Sequence, residues 1–299
     1  MISLFSKIIY LNFIIFFVCA STTSLCGQVS AKSRFYLHYN TSIEFNKLNL
    51  YSESIKELEK AIAIASEKKW KEKYLESSIF MAEMMRRTND QRRGLEILEK
   101  LSDSKKYPEL HVRKLGRMAA LYAEGGEFPG RSPIDSLTKY LSVALNIAKK
   151  NKFYNEEASL SNELGYFKLH HENIAAAKPY LLKSAQLYKK LNDINNYVNV
   201  MSHILYIRLL EKNFKSADLL IKELLSLVED QKWYATEQTL YRNIASRYLT
   251  VKDSLSYFKW MTKEKKAAYQ IVVEKGNQAM SYYRIKYDTE KFKNNAIKA

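Results

Sequence analysis

One short group of residues has the composition of a reactive centre: His170-His171-Glu172, in the stretch NELGYFKLHHENIAAAKPYLLKSAQLY from Asn162 to Tyr188. Two imidazoles beside a carboxylate are the donor types of a zinc site or of a general-base relay. Their spacing argues against both. Neighbouring residues on a helix diverge by about 100°, so the two rings do not converge on one ion. The other histidines, His38, His111 and His203, complete no HExxH or comparable ligand spacing. A phosphoacceptor histidine works with an ATP-binding domain and its glycine-rich loops, and no such stretch is present; a P-loop and a nucleophile elbow are absent too. The sequence reading therefore assigns no catalytic residue, no metal and no cofactor. The histidine stretch is predicted to end one helix and start the next, with Asn173 as N-cap.

Which elements, then, does the sequence build? Only 8 Gly and 4 Pro punctuate 299 residues, too few turn formers for a compact α/β enzyme. Hydrophobic residues make up 46%, enough for a continuous core, and the 22 Tyr suit half-buried helix seams. The formal net charge is +16, which favours acidic partners in general. The lysines are scattered over many helical faces, with no arginine-rich block and no nucleic-acid-binding fingerprint, so nucleic acid is not expected as a partner.

The N-terminus, MISLFSKIIYLNFIIFFVCASTTSLCGQVSAKS, has the order of a secretory signal: Lys7, an apolar run from Ile8 to Ala20, then small residues. We expect residues 1–27 to be a signal peptide cut after Gly27, with Ala20 as the other candidate, and a periplasmic or secreted product. The run is shorter than the ~20 residues of a comfortable membrane span. Val18 and Leu25 precede the two cysteines, Cys19 and Cys26, a poor setting for a lipidated cysteine. Cleavage after Gly27 removes both, leaving no disulfide and no thiolate site.

A repeat of about forty residues follows. Leu164-Gly165, then Ala177, Leu181, Ser184 and Ala185, are answered by Ile204-Leu205, Ala217 and Ile221. Earlier copies place Met81-Ala82 with Gly94, Thr41-Ser42 with Ser54 and Ala61, and Leu115-Gly116 with Ser136-Leu137; a degenerate copy begins at Thr239. A second marker agrees: KKW at Trp70, NKF at Phe153 and QKW at Trp233 each open a helix pair. A fixed period of this length signals stacked helix pairs. The small residues allow close approach of the two helices of a pair, and large apolar residues at i, i+3, i+4 and i+7 fill the seams. No single pair buries its own apolar faces, so the copies must stack.

On these residues the chain resembles the tetratricopeptide-repeat family, best at Leu164-Gly165, the turn at Asn173, Ala177, and EKNFKSA from Glu211 to Ala217. It departs from the family pattern at Lys168, Glu172, Leu181 and Ser184, and its period exceeds the family's ~34 residues, so longer helices are expected. The resemblance spans Ser33 to Lys275. It implies an all-α fold: a right-handed superhelical solenoid of antiparallel helix pairs, about six pairs over residues 33–275. Beyond it, Tyr282, Ile285 and Thr289 with Phe292 suggest one C-terminal amphipathic helix over 276–299. The resemblance also implies a concave face lined by the first helix of each pair. The stripe on that face holds Asn162 and Tyr166, the corresponding Ser202 and Tyr206, then Arg113 and Arg117, with Arg86 nearby. Asparagine can hold a peptide backbone, tyrosine can pack its side chains and arginine can pair with carboxylates.

Three local features complete the reading. Pro179 falls inside the second helix of its pair, which predicts a kink or a late helix start near Lys178. AEGGEFPGRSPIDS, Ala123 to Ser136, breaks the period as a surface loop, with Ser132 capping the helix after it. The string KYDTEKFKN near the C-terminus is similar to the segment that ends the sensor region in bacterial repeat-containing histidine kinases and helix-turn-helix regulators. The expected function is an exported scaffold, not an enzyme, that binds a peptide or protein segment in its groove. The alternative is the extracytoplasmic sensor portion of a split or truncated regulator. Membrane association is expected only through an unprocessed signal or a neighbouring membrane protein.

Overall fold

Helix starts recur every twenty residues over most of the chain. The computed structural model describes residues 30–124, 133–171 and 173–298, with the side chains of all of these except Asp103 and 285–298. Its helices are α1 Ala31–Lys47, α2 Tyr51–Glu67, α3 Lys71–Arg87, α4 Gln91–Lys100, α5 Pro108–Glu124, α6 Pro133–Asn151, α7 Tyr154–His171, α8 Ile174–Lys190, α9 Ile194–Leu210, α10 Phe214–Val228, α11 Tyr234–Thr250 and α12 Ser254–Lys298. A short 3₁₀ turn, Ser102–Lys106, sits between α4 and α5. Among the described residues there is no strand, and the twelve helices form six pairs, α1/α2 to α11/α12. The fold is an all-α helical-repeat solenoid. The proposed signal segment and Ser132 lie outside the described residues.

The twenty-residue beat comes from the turns. Asn49, Lys69, Asn89, Lys152, Asn192, Lys212 and Lys252 all have φ between 56° and 63°, the left-handed region. In each case the next residue's N–H reaches the carbonyl five positions back: Trp70 N to Ala65 O at 2.8 Å, Phe153 N to Ala148 O at 3.0 Å, Asp253 N to Tyr248 O at 3.1 Å. This is the closing bond of a Schellman turn, which satisfies a terminal carbonyl and reverses the chain. The residue that closes one helix then opens the next. Asp193, Asn213 and Asp253 accept from the N–H groups of Asn196, Ser216 and Ser256. The aromatic markers occupy the same slot. Trp70, Phe153 and Trp233 stand immediately before α3, α7 and α11, each the first helix of a pair, and plug the core at the turn.

The seams are built from small residues, as the repeat requires. Ala61, Ala82, Ala177 and Ala217 have no exposed surface. Buried serines join the paired helices by donating across the seam: Ser54 Oγ to Ser42 O at 2.8 Å, and Ser184 Oγ to Ala158 O at 2.7 Å. Gly165 is a point of very close approach, since a Cβ there would lie 2.7 Å from Leu181 Cγ and 3.1 Å from the Leu181 backbone nitrogen. Gly116 differs from the expectation. A Cβ there meets only Leu160 Cδ2 of α7, at the ordinary distance of 3.4 Å, and nothing of its own partner helix α6.

Two further expectations are corrected. Helix α8 starts at Ile174 and runs through Pro179. The Asn173 side chain caps it by accepting from Ala176 N at 2.8 Å, and Ala177 and Leu181 on either side of the proline are buried, so the start is not delayed to Lys178. The residues from 276 onward form no separate helix. They extend α12, the second helix of the sixth pair, without a break at Gly276.

Buried residues form one cluster from Leu75 to Phe167 and a second from Ala158 to Ile244, with α7 contributing to both. Beyond its sequence neighbours, α3 packs on α5, α5 on α7 and α9 on α11. First helices thus lie side by side on one face. At 45 residues α12 is far longer than the rest. Its Tyr282 ring meets Phe45 of α1 edge to face, centroids 5.1 Å apart, so the last helix touches the first.

Candidate functional site

The face of first helices encloses a cleft of about 530 Å³. All of its lining residues come from α1, α3, α5 and α7. Its walls are Tyr39, Ile79, Phe80, Met84, Leu110 and Leu160. Its polar lining is a charge network. Glu83 sits at the centre and accepts from Arg86 Nε and Nη2 at 2.9 and 2.7 Å, from Arg87 Nε at 2.9 Å, and lies 3.2 Å from Arg117 Nη1. Burial pushes the Glu83 carboxyl up; the Arg86 hydrogen bonds and the charges of Arg117 and Arg86 outweigh it and hold the group below the usual carboxylate range.

Glu163 has no such support. It lies in the same cleft, with only a long 3.4 Å contact from Ser159 Oγ and no ion pair within 4 Å among the described residues. Its carboxyl is enclosed by protein while the residue keeps some exposed surface, as expected at the bottom of an open cleft. Desolvation raises its pKa, and the Arg117 charge offsets only part of that. The cleft therefore combines apolar walls, arginines committed to internal partners, and two carboxyl groups, Glu76 and Glu163, with no ion pair among the described residues.

The residues expected on the concave stripe separate into three groups. Arg113 and Arg117 line the cleft. Arg113 is held by Glu109 at 2.5 Å and by Glu156 at 3.4 Å. Arg86 lies beside the cleft, bound to Glu83 and Glu124. Asn162 and Tyr166 belong to the next stretch of the groove: Asn162 Oδ1 is buried with no hydrogen-bond partner among the described residues, and Tyr166 is half exposed, its ring 4.3 Å from that of His170 and 5.1 Å from that of His203. Tyr206 is half-buried. Ser202 is the correction: it has no exposed surface and its hydroxyl donates to Val198 O at 2.8 Å, so it is core and cannot meet a ligand. Its carbonyl instead receives Asn243 Nδ2 at 2.8 Å, tying α9 to α11.

The acidic half of the cleft went unread in the sequence, although the repeat register held a signal for it. Glu83 follows Ala82 as Arg117 follows Gly116 and Tyr166 follows Gly165, so Glu83 occupies the same groove position one copy earlier. The histidines are accounted for. The His170 ring lies tilted against Tyr166 and the His171 ring stacks on Phe167, on diverging faces. No group of three metal-binding side chains occurs among the described residues.

No family model matches the chain, and no curated protein does. Solved structures do. The apo form of RapI superposes with a TM-score of 0.61 at 16% identity, over 83% of this chain and 88% of that one. The Rap conjugation gene regulator of the plasmid pLS20, solved in complex with the Phr* peptide, gives a TM-score of 0.58 at 11% identity, over 82% and 65%. A Rap protein complexed with competence and sporulation factor gives 0.57 at 15%, over 81% and 78%. At these identities the likeness establishes the helical-repeat fold.

Proposed function

We propose that this chain is an exported scaffold that binds a peptide or an extended protein segment along the groove of its first helices. The observation that carries this reading is the 530 Å³ cleft formed by first helices alone, with apolar walls and a desolvated carboxyl group, Glu163, that has no ion-pair partner among the described residues. Extended ligands suit such a surface, because alternate side chains enter pockets while the backbone meets polar groups such as Asn162. The peptide held by the pLS20 regulator of like fold supports the same ligand class. Binding is the activity; no substrate is transformed. Export rests on the N-terminal sequence alone.

The test is enrichment of a random peptide library on the purified chain. A consensus that loses at least about tenfold affinity with Arg113→Ala and Tyr166→Ala is expected, the loss of roughly 1.4 kcal/mol or more typical of an interface anchor. No enrichment, or binding indifferent to both changes, overturns the reading. Mass measurement of the exported product, expected to begin at Gln28, tests the address. The sensor-portion alternative keeps one support, the KYDTEKFKN string, which α12 carries as continuous helix.

A further inference from the structure

The outer face of α12 is apolar where the last helix of a solenoid is ordinarily polar. Leu255, Phe258, Tyr269, Val272, Met280 and Tyr283 are each more than half exposed. They fall at steps that keep to one side of a helix, so they form a single stripe about 42 Å long. The opposite side is the one that packs. Glu264 accepts from Gln238 Nε2 at 3.0 Å and from Arg242 Nη2 at 2.9 Å, Trp260 lies against Tyr241, and Ala267 is buried. A stripe of this extent exceeds the scattered apolar residues of an ordinary surface and marks a contact face.

Charge identifies what covers it. Lys265, seven residues from both Phe258 and Val272, falls within the stripe and lies 3.5 Å from Glu264; Lys259 and Lys266 are exposed along its flank and Lys275 further round. Between Ser254 and Arg284 the carboxylates are Glu264, buried on the packed side, and Glu274, turned about 200° away from Val272. A second copy of this face would bring lysines against lysines, on a chain of net charge +16. An anionic lipid surface meets both halves of the pattern: headgroups take the lysines and the acyl boundary takes the stripe. We propose that α12 docks this protein on an anionic phospholipid bilayer, lying in the headgroup plane with Leu255, Phe258, Val272 and Met280 inserted. The helix does not span: no described helix is long and apolar enough to cross a membrane. This differs from the expectation that membrane contact needs an unprocessed signal or a membrane neighbour.

Vesicle co-sedimentation of the full chain decides it. Vesicles containing phosphatidylglycerol are compared with phosphatidylcholine alone, for the parent and for a Leu255→Gln, Phe258→Gln, Val272→Gln, Met280→Gln variant. Any contribution of the N-terminal segment is common to both proteins. Because the four positions are highly exposed, the variant should keep its helical signal and melting profile, which circular dichroism verifies. At least about tenfold stronger binding to anionic vesicles, and at least about tenfold loss in the variant, is expected from the combined apolar and electrostatic contributions. Equal binding of parent and variant, equal binding to both vesicle types, or no binding overturns the proposal. So does a dimer in sedimentation velocity that the four substitutions abolish while vesicle binding persists.

Discussion

Leu181 leaves no room for a methyl group on Gly165, and that contact is a local determinant of how closely α7 and α8 approach. Gly165→Ala forces the leucine and its backbone to shift, so a loss of about 1–3 kcal/mol is expected. Gly116→Ala meets only an ordinary contact, and its effect should be neutral or stabilising by up to about 1 kcal/mol, from the helix preference of alanine over glycine. Urea unfolding of the two variants checks the contrast. His203 sets a pH dependence. Burial first, then the charge of His170, pushes its pKa down from 6.5 to about 4. The unfolded chain therefore binds a proton that the folded chain refuses, and stability falls as pH drops from about 6.5 to 4, by up to roughly 3 kcal/mol. His203→Leu should flatten that window. Glu83 acts with the same sign but begins later: its folded pKa lies below the ordinary 4.5, so the stability it gives is full above that pH and is lost as pH falls from 4.5 toward the depressed folded value. Denaturant midpoints measured across pH 7 to 3 separate the two.

At the scale of the element, the turn is the repeating unit that matters. Seven of the left-handed residues closing these helices are lysine or asparagine, although glycine alone adopts that conformation without a Cβ penalty. Lys152→Gly should therefore stabilise by about 0.5–1 kcal/mol, the left-handed penalty of ~1–2 kcal/mol less the chain entropy glycine adds to the unfolded state; an unchanged thermal midpoint would contradict it. The same chemistry explains what the sequence did and did not disclose. Helix pairs were legible because alanine, serine and glycine recur at the seams and aromatics precede α3, α7 and α11. The turns themselves carry no glycine to announce them. The C-terminal helix was read as separate because the repeat resemblance stops at Lys275, yet Gly276 lies in an exposed stretch of α12 with open space around it; glycine costs a helix about 1 kcal/mol and does not by itself end it. Arg113 and Arg117 were legible from register. Ser202 shared that register but faces the core, and Glu83 and Glu163 were missed because charge in the groove was sought only in arginines.

On the scale of the whole molecule, stacked repeats ordinarily come apart from their extremities, where a pair has one neighbour instead of two. Here the extremities hold each other, through Phe45 and Tyr282. Such a clasp turns an open zipper into a closed loop: fraying α1 must also release the far part of α12. An edge-to-face pair adds about 0.5–1.5 kcal/mol beyond its buried area, enough to couple two segments that are otherwise weakly anchored. Phe45→Ala should leave the midpoint of the central repeats nearly unchanged while hydrogen exchange accelerates in α1, α2 and the last third of α12 together. Faster exchange in α1 and α2 alone would show that the two ends open independently.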